Sequence, residues 1–305
     1  MKLSIITTLY RSEQFIEDFY NRIIKQIQLL RINDYEIIFV NDGSPDNSDK
    51  VIERLIKKDP NIRSIELARN FGHHPAMIAG LDNSIGDFVY LLDVDLEDKP
   101  EWLSLFYKKI INSDIDVVYG VQKKRDGNFF RKLTGKIWYY IMSKVSSLNH
   151  PHNITTARLM NRKFVNKMKS FTEKSFVISA IWQLTGFNQV PIEIEKTHNS
   201  SSSYKFSDKL DIVFKVLTGY SNKVLKITLV FNFIISILAL FYSCYVFLNK
   251  FNLGDEVLTG WSSLAVLICL SYFLLSLCMI FIGMYIAQIN EEVKNRPRYL
   301  IKKIL

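Results

Sequence analysis

The sequence predicts an α/β fold, a mostly parallel sheet with helices between its strands, followed by interfacial helices and two transmembrane helices. Two observations carry this reading. Between Leu3 and Tyr119, short apolar, β-rich runs alternate with segments whose apolar residues recur at helical spacing. Towards the end, two long stretches carry no charge at all, Ile227 to Leu248 and Val257 to Asn290, and about 20 apolar residues suffice for a helix to cross a bilayer.

The elements follow in order. Leu3 to Leu9 reads as a strand, and Phe15, Ile16, Phe19, Ile23, Ile24, Ile27 and Leu30 then mark one face of a helix. Glu36 to Val40 is a second strand, closed by the turn residues Asn41 to Pro45. Val51, Ile52, Leu55 and Ile56 give the next helix, Ser64 to Leu67 a strand, His74 to Asn83 a helix and Asp87 to Leu92 a strand. After Asp93-Val94-Asp95 a helix begins near Pro100, a residue suited to a first turn, and Val117 to Tyr119 is a further strand. Parallel strands joined this way place ligands at their carboxyl ends.

The uncharged stretches are read as spans at about 226–248 and 261–287; core helices rarely run so long without a charge. Lys205, Lys209, Lys215, Lys223 and Lys226 precede the first, and Lys294, Arg296, Arg298, Lys302 and Lys303 follow the second. The connecting loop holds only Lys250 against Asp255 and Glu256. Positive residues stay inside, which predicts both termini on the cytoplasmic face. Two segments are amphipathic, 123–145 and 205–223, with lysines and arginines between apolar residues; these suit helices lying in a membrane interface, or packed on the α/β domain. Residues 290–305 read as a basic tail. The first apolar run, Leu3 to Leu9, is too short for a cleavable signal peptide.

Three cysteines, Cys244, Cys269 and Cys278, all lie in the uncharged stretches and make neither a disulfide framework nor a zinc pattern. The formal charge of +9 would suit nucleic acid, but much of it borders the membrane segments, where anionic headgroups explain it; nucleic acid is not expected as a partner.

Asp93 and Asp95 close an apolar strand, one residue apart. In extended chain such positions face the same side. Paired carboxylates there suit a hard divalent cation, Mg2+ or Mn2+, and a diphosphate-bearing ligand. A second acidic turn, Asn41-Asp42-Gly43-Ser44, ends an earlier strand, and in a parallel sheet both turns meet at one edge. Glu97 and Asp98 follow closely.

Glu36-Ile-Ile-Phe-Val-Asn-Asp-Gly-Ser44, Ala68-Arg-Asn-Phe-Gly72, Leu92-Asp-Val-Asp-Leu-Glu97, Val118-Tyr-Gly-Val-Gln122 and Ala157-Arg-Leu-Met160 resemble, in order, the family-2 glycosyltransferases. The polyprenyl-phosphate sugar transferases, the dolichyl-phosphate and bactoprenol branch, are the most similar, over roughly Lys2 to Tyr220 and in the paired spans. The resemblance implies a GT-A type, Rossmann-like nucleotide-binding catalytic domain at 1–204, on the cytoplasmic face of a bacterial inner membrane, with a two-helix membrane domain at 224–289. It further implies inverting transfer from a UDP- or GDP-linked sugar to a polyprenyl phosphate such as undecaprenyl phosphate, for cell-surface glycan synthesis. Thr8, Tyr10 and Asp42 would touch the nucleotide and Asp93 the sugar-nucleotide. Asp95, with Asp93 and Glu97, would hold the metal. Arg125, Arg131 and Arg158 are candidate phosphate clamps, Arg131 and Arg158 with a catalytic part, and Tyr204-Lys205 resembles the active-site loop. This chain departs from the family at Thr8, often Pro, at Ser12, often acidic, at Gln122, often Arg, and at Thr156-Ala157, often Asp-Phe.

The acceptor sets the chemistry. A hydroxyl must lose a proton as it attacks and needs a general base, whereas a lipid phosphate is already ionised. No extra carboxylate stands between Thr155 and Met160, which favours the phosphate. A transferase acting on a lipid or glycan hydroxyl, and a non-catalytic membrane adaptor, are the competing readings. The oligomeric state is left open, a homo-oligomer included. His73 and His74, just before a helix, could bind donor phosphate but are read as partners in loop hydrogen bonding and left out of the core site.

Overall fold

The computed structural model describes residues 1–111, 113–122, 153–174, 176–195, 223–253 and 260–305. Segment 123–145, residues 205–222 of the juxtamembrane segment, and the site candidates Arg125, Arg131, Tyr204 and Lys205 lie outside the described residues.

The chain opens with four parallel strands and their crossover helices. β1 (Lys2–Leu9), β2 (Asp34–Asn41), β3 (Ile62–Leu67) and β4 (Phe88–Leu91) alternate with α1 (Glu13–Leu29), α2 (Ser48–Lys58) and α3 (His73–Asn83). α4 (Trp102–Ile110) then leads to β5 (Val117–Gln122), β6 (Ile154–Asn161), α5 (Arg162–Met168), α6 (Ile178–Leu184) and β7 (Gln189–Ile194). α7 (Lys223–Leu253), α8 (Trp261–Val293) and β8 (Ile301–Ile304) complete the described elements. The sheet order is β7-β5-β6-β4-β1-β2-β3-β8; β6 is antiparallel to β4 and β5, and β8 is antiparallel to β3. The strand order turns around at β1, with β4 on one side and β2 on the other, and in such sheets the crevice for ligands opens at that turn.

Helices cover both faces. On one, Ile16, Phe19 and Ile23 of α1, Ile52 of α2 and Phe106 of α4 bury against Ile5, Phe39 and Tyr90. On the other, Met77 and Leu81 of α3, Phe164 of α5 and Ile181 of α6 bury against Ile6, Val40 and Leu91. β1 is buried over its last seven residues, as the continuous apolar run of a covered parallel strand requires. α3 lies unusually close to this core: a Cβ on Gly80 would collide with Ile6 Cγ2 and approach Val40 Cγ2 to 3.1 Å. That close seat carries the first turn of α3 to the end of β1.

α7 and α8 present exposed apolar side chains such as Phe231, Phe241, Tyr272 and Leu275, which is the surface a lipid environment stabilises. Among the described residues one helical segment, Leu270–Val293, is long and apolar enough to cross a membrane; Leu225–Ala239 is a shorter apolar stretch.

The basic tail is more than a tail. α8 runs to Val293, and β8 then pairs with β3, Leu305 exchanging 2.9 Å backbone bonds with Ser64. Tyr299 Oη donates to Asp82 at 2.8 Å, Arg298 Nε donates to the Glu173 carbonyl at 2.8 Å, and Lys302 meets Glu66 at 2.6 Å. The short run Ile301-Lys-Lys-Ile304 reads as membrane-flanking charge because its pairing partner is remote in sequence. β6 escaped the sequence reading for a related reason. Thr155, Thr156 and Arg158 break its apolar pattern, and its neighbours are β4 and β5 rather than a following strand.

Candidate active site

Three strand ends and one helix start make the site. Gly43, at φ +64, turns the chain after β2 so tightly that a Cβ would stand 2.7 Å from the Arg69 carbonyl carbon. Only glycine tolerates both the angle and the approach. The contact brings the 41–44 turn against the loop before α3. Asp42, 3% exposed, fastens that loop: its two carboxylate oxygens accept from Phe71 N at 2.7 Å and Gly72 N at 2.9 Å. Burial pushes the Asp42 carboxyl above its ordinary value, although these N–H groups, His73 and Arg69 pull the other way. The carboxylate proposed to touch a nucleotide thus also holds the backbone beside it.

The loop delivers His73. Its Nδ1 lies 3.0 Å from Thr8 Oγ1 at the end of β1, and its Nε2 lies 3.3 Å from Asp93 Oδ1 beyond β4. Burial alone would lower the imidazole's pKa; the facing Asp93, with Asp42 and Asp95 behind it, outweighs burial and raises it. The imidazole therefore bridges the two strand ends flanking the crevice.

The acidic loop keeps its side chains in step. Asp93, Asp95 and Glu97 are half-buried while Val94, Leu96 and Asp98 between them are buried. β4 ends at Leu91, and Val94 and Asp95 lie in a turn, so the two aspartates are placed by a loop rather than by the extended strand that their spacing suggests. Leu96 sits at φ +63, an unusual left-handed conformation for a leucine, with its side chain packed into the core. The buried leucine anchors a turn in which Asp95 Oδ1 accepts from Glu97 N at 3.0 Å. Asp98, fully buried, accepts from Ala157 N at 2.9 Å and ties the loop to β6. Tyr10 stands at the rim, 46% exposed, with the Arg11 guanidinium 5.6 Å from its ring centre.

Arg158 sits on β6 opposite Leu91, the last residue of β4, behind the acidic loop. It is 1% exposed, its guanidinium rests on the Trp182 ring, and it donates to the carbonyls of Thr155 and Thr156, each at 3.2 Å. Burial pulls its pKa well below the ordinary value, against the pull of Tyr119, Asp98 and Asp93. Together with Tyr119, Ser179 and Trp182 it lines a cavity of about 200 Å³.

Among the described residues, no three His, Cys, Asp or Glu side chains converge as a complete metal centre, so Asp93, Asp95 and Glu97 do not form a closed cage. One or two carboxylates completed by substrate phosphate oxygens are the usual set for Mg2+, and Asp93 with Asp95 supplies hard oxygen donors of that kind. The donor set fits.

Residues 4–169 match the family described as Glycosyl transferase family 2. This is more than half of the chain. The chain belongs to glycosyltransferase family 2. Like the glycosyltransferase YkcC of Bacillus subtilis (strain 168), with which it shares 32% identity over 99% of its own length and 94% of the relative's, this glycosyltransferase extends past the family region to the end of β8. It is 31% identical to the SfII prophage-derived bactoprenol glucosyl transferase of Shigella flexneri, across 99% of this chain and 98% of that one. A weaker likeness, 13% identity and a TM-score of 0.49, covers 96% of the chain and 86% of the mannosyltransferase PcManGT from Pyrobaculum calidifontis, solved with GDP-Man and Mn2+. Membership rests on the sequence matches.

Within the glycosyltransferase the structure unites Thr8, Asp42 and Asp93 around His73, sets Asp95 and Glu97 next to them, places Tyr10 at the rim and buries Arg158 on β6 beside the end of β4. His73 is the residue sequence reasoning left out of the core site. The available signal was its position directly after Gly72, opening a helix that follows an acidic strand end.

Proposed function

We propose that this glycosyltransferase moves a sugar, with inversion, from a UDP- or GDP-linked donor to a polyprenyl phosphate at the cytoplasmic face of the membrane. The bactoprenol named in the Shigella flexneri relative supports that acceptor class. The observation that carries the proposal is the acidic edge Asp42–Asp93–Asp95 at the sheet's turning point, in a chain whose membrane-length helix is stitched to the same sheet by β8.

Each group has a task in this reading. Tyr10, exposed beside the end of β1, offers a flat ring to the base. Asp42 keeps the 69–72 loop in place, and His73 sets the Asp93 carboxylate against Thr8. Asp93 and Asp95 would hold Mg2+ or Mn2+, which supplies positive charge to a leaving diphosphate when bound. An ionised lipid phosphate needs no proton removed, and the buried Asp98, bonded to Ala157 N, is withdrawn from the role of base. α7 and α8 are both taken as spans with the termini inside, as the flanking lysines and arginines require. Confinement to the bilayer raises the local concentration of a lipid acceptor at a site held on the surface.

The test offers the purified full chain undecaprenyl phosphate with a panel of UDP- and GDP-sugars and Mn2+, and identifies the product by mass. A single glycosyl phosphate lipid is expected. A sugar found on a lipid or glycan hydroxyl instead, or no product from any donor, refutes the proposal.

A further inference from the structure

The start of α3 and the end of α8 enclose a cleft of about 760 Å³ that the donor residues do not occupy. Its charge is one-sided. Among the described residues, Arg69, Lys174, Lys294, Arg296 and Arg298 line it against one carboxylate, Glu291. Arg298 is committed to the fold, donating to the Glu173 carbonyl and stacking 4.8 Å from the Phe176 ring centre. Arg69 reaches the Asn70 carbonyl and lies over Phe71. Lys174, Lys294 and Arg296 make no salt bridge among the described residues, and Lys294 and Arg296 are exposed. Several unneutralised cations around one cavity suit an anion with several oxygens.

The wall on α8 is a helix stripe. Ala287, Asn290, Glu291 and Lys294 fall at positions i, i+3, i+4 and i+7 and so share one face. One turn back towards the membrane that face reaches Gly283, where a Cβ would meet nothing within 4 Å, and then the exposed Ile280. A polar, cationic mouth thus continues into an open apolar track along a membrane-length helix. The opposite wall is Gly72, His73 and His74, and His73 is the residue that bridges Thr8 and Asp93. The cleft joins the membrane helix to the acidic edge.

We infer that this cleft receives the phosphate of the membrane-held acceptor. The acceptor's apolar chain lies along Ile280, Gly283 and Ala287, and its phosphate sits between Lys174, Lys294 and Arg296. The acceptor's identity rests on the proposed function; the location is testable without turnover.

The full chain is placed in phosphatidylcholine nanodiscs and binding of radiolabelled undecaprenyl phosphate is measured for the wild type, for Lys294→Glu with Arg296→Glu, and for Gly283→Trp. Reversing the two charges is expected to weaken lipid binding by at least about tenfold, the equivalent of one or two charge-assisted contacts. UDP and GDP binding and the melting temperature should stay as in the wild type. Gly283→Trp, which leaves every charge in place, should weaken lipid binding by blocking the track. Undecaprenol and inorganic phosphate, each lacking half of the ligand, should compete poorly. Unchanged lipid affinity in both variants overturns the inference, and so does equal displacement by phosphatidylglycerol, which would make the cleft a general headgroup site. If the wild type binds the lipid through these residues but glycosylates nothing, the proposed function fails and the cleft stands. If the charge-reversed variant transfers sugar normally, the cleft fails and the function stands.

Discussion

The middle of the sheet and its outer edge at β8 are joined by different means. In the middle, β1 lies between β2 and β4, all three buried and parallel, and each strand end passes into a polar loop bonded to the next. At the edge, β8 is a four-residue exposed strand, antiparallel to β3, held by a few backbone bonds and by Tyr299, Arg298 and Lys302. The middle concentrates carboxylates and one histidine around a crevice. The edge carries no such chemistry but fixes where that crevice sits relative to α8. The two regions should therefore fail separately, the first in catalysis and the second in stability and placement.

Asp95→Asn is the most severe test of the middle. Removing one of the two carboxylates that would hold the cation beside the diphosphate is expected to lower transfer by at least about a hundredfold, the scale of losing one electrostatic contact to developing charge. Melting temperature and membrane insertion should not change, since Asp95 is half-buried in a loop and its bond from Glu97 N lies within one turn. Turnover near that of the wild type would sink the role given to Asp95.

Asp42→Ala breaks the separation in a defined direction. Phe71 N and Gly72 N lose a charged acceptor each, in a place too buried for water to replace it freely. Two such bonds are together worth about 3 kcal/mol, so denaturant unfolding should show a loss of that order. Nucleotide binding should fall with it, because the same loop positions His73. A stable variant with weakened nucleotide binding would mean that Asp42 contacts ligand without holding the loop.

Removing Ile301–Leu305 probes the edge. The exchanged bonds between Leu305 and Ser64 and the bond from Ala68 N to the Leu300 carbonyl support this strand. Backbone bonds contribute about 1 kcal/mol each, partly offset by the freedom the released segment regains. A drop of a few degrees in melting temperature is expected, about what 1–2 kcal/mol gives in a domain of this size. Nucleotide affinity should be untouched. If it collapses as well, the edge and the crevice form one unit.

These differences also account for what the sequence discloses. The strands β1 to β5 and the helices between them are legible because each is written in a local pattern: continuous apolar runs such as Ile37 to Val40, or the helical spacing of Ile16, Phe19 and Ile23. The Asp93–Asp95 pair is legible because it directly ends such a run. His73 is not, since its partners Thr8 and Asp93 come from other strand ends and only the closed sheet brings them together. Nor is β8, whose partner Glu66 is 236 residues away from Lys302. Arg158 reads as a phosphate contact from its motif; what no local pattern discloses is its burial against the Trp182 ring and its bonds to the carbonyls of Thr155 and Thr156. The pairing of distant strands costs loop entropy that no local pattern records.

The smallest expected effect concerns Asp46, in the turn that supports the crevice from behind. Burial would raise its pKa, but hydrogen bonds from the Ser44 and Ser48 hydroxyls and from the backbone of Glu13 and Ser48 outweigh this and lower it to about 2. A carboxyl lowered on folding stabilises the protein above its unfolded value, about 3.9, and this contribution disappears as pH falls through the folded value. The group is largely solvated, so its contribution at neutral pH is about 1 kcal/mol or less. Asp46→Asn should therefore melt slightly below the wild type at pH 7, and the gap should narrow below about pH 4 as the pH falls towards the folded value near 2, where Asp46 is half protonated. Because Asp46 joins the start of α1 to the turn after β2 and touches neither Asp93 nor Asp95 in these bonds, transfer at neutral pH should be retained. A gap that stayed constant down to pH 2 would place the stabilisation in the shape of the turn rather than in the charge.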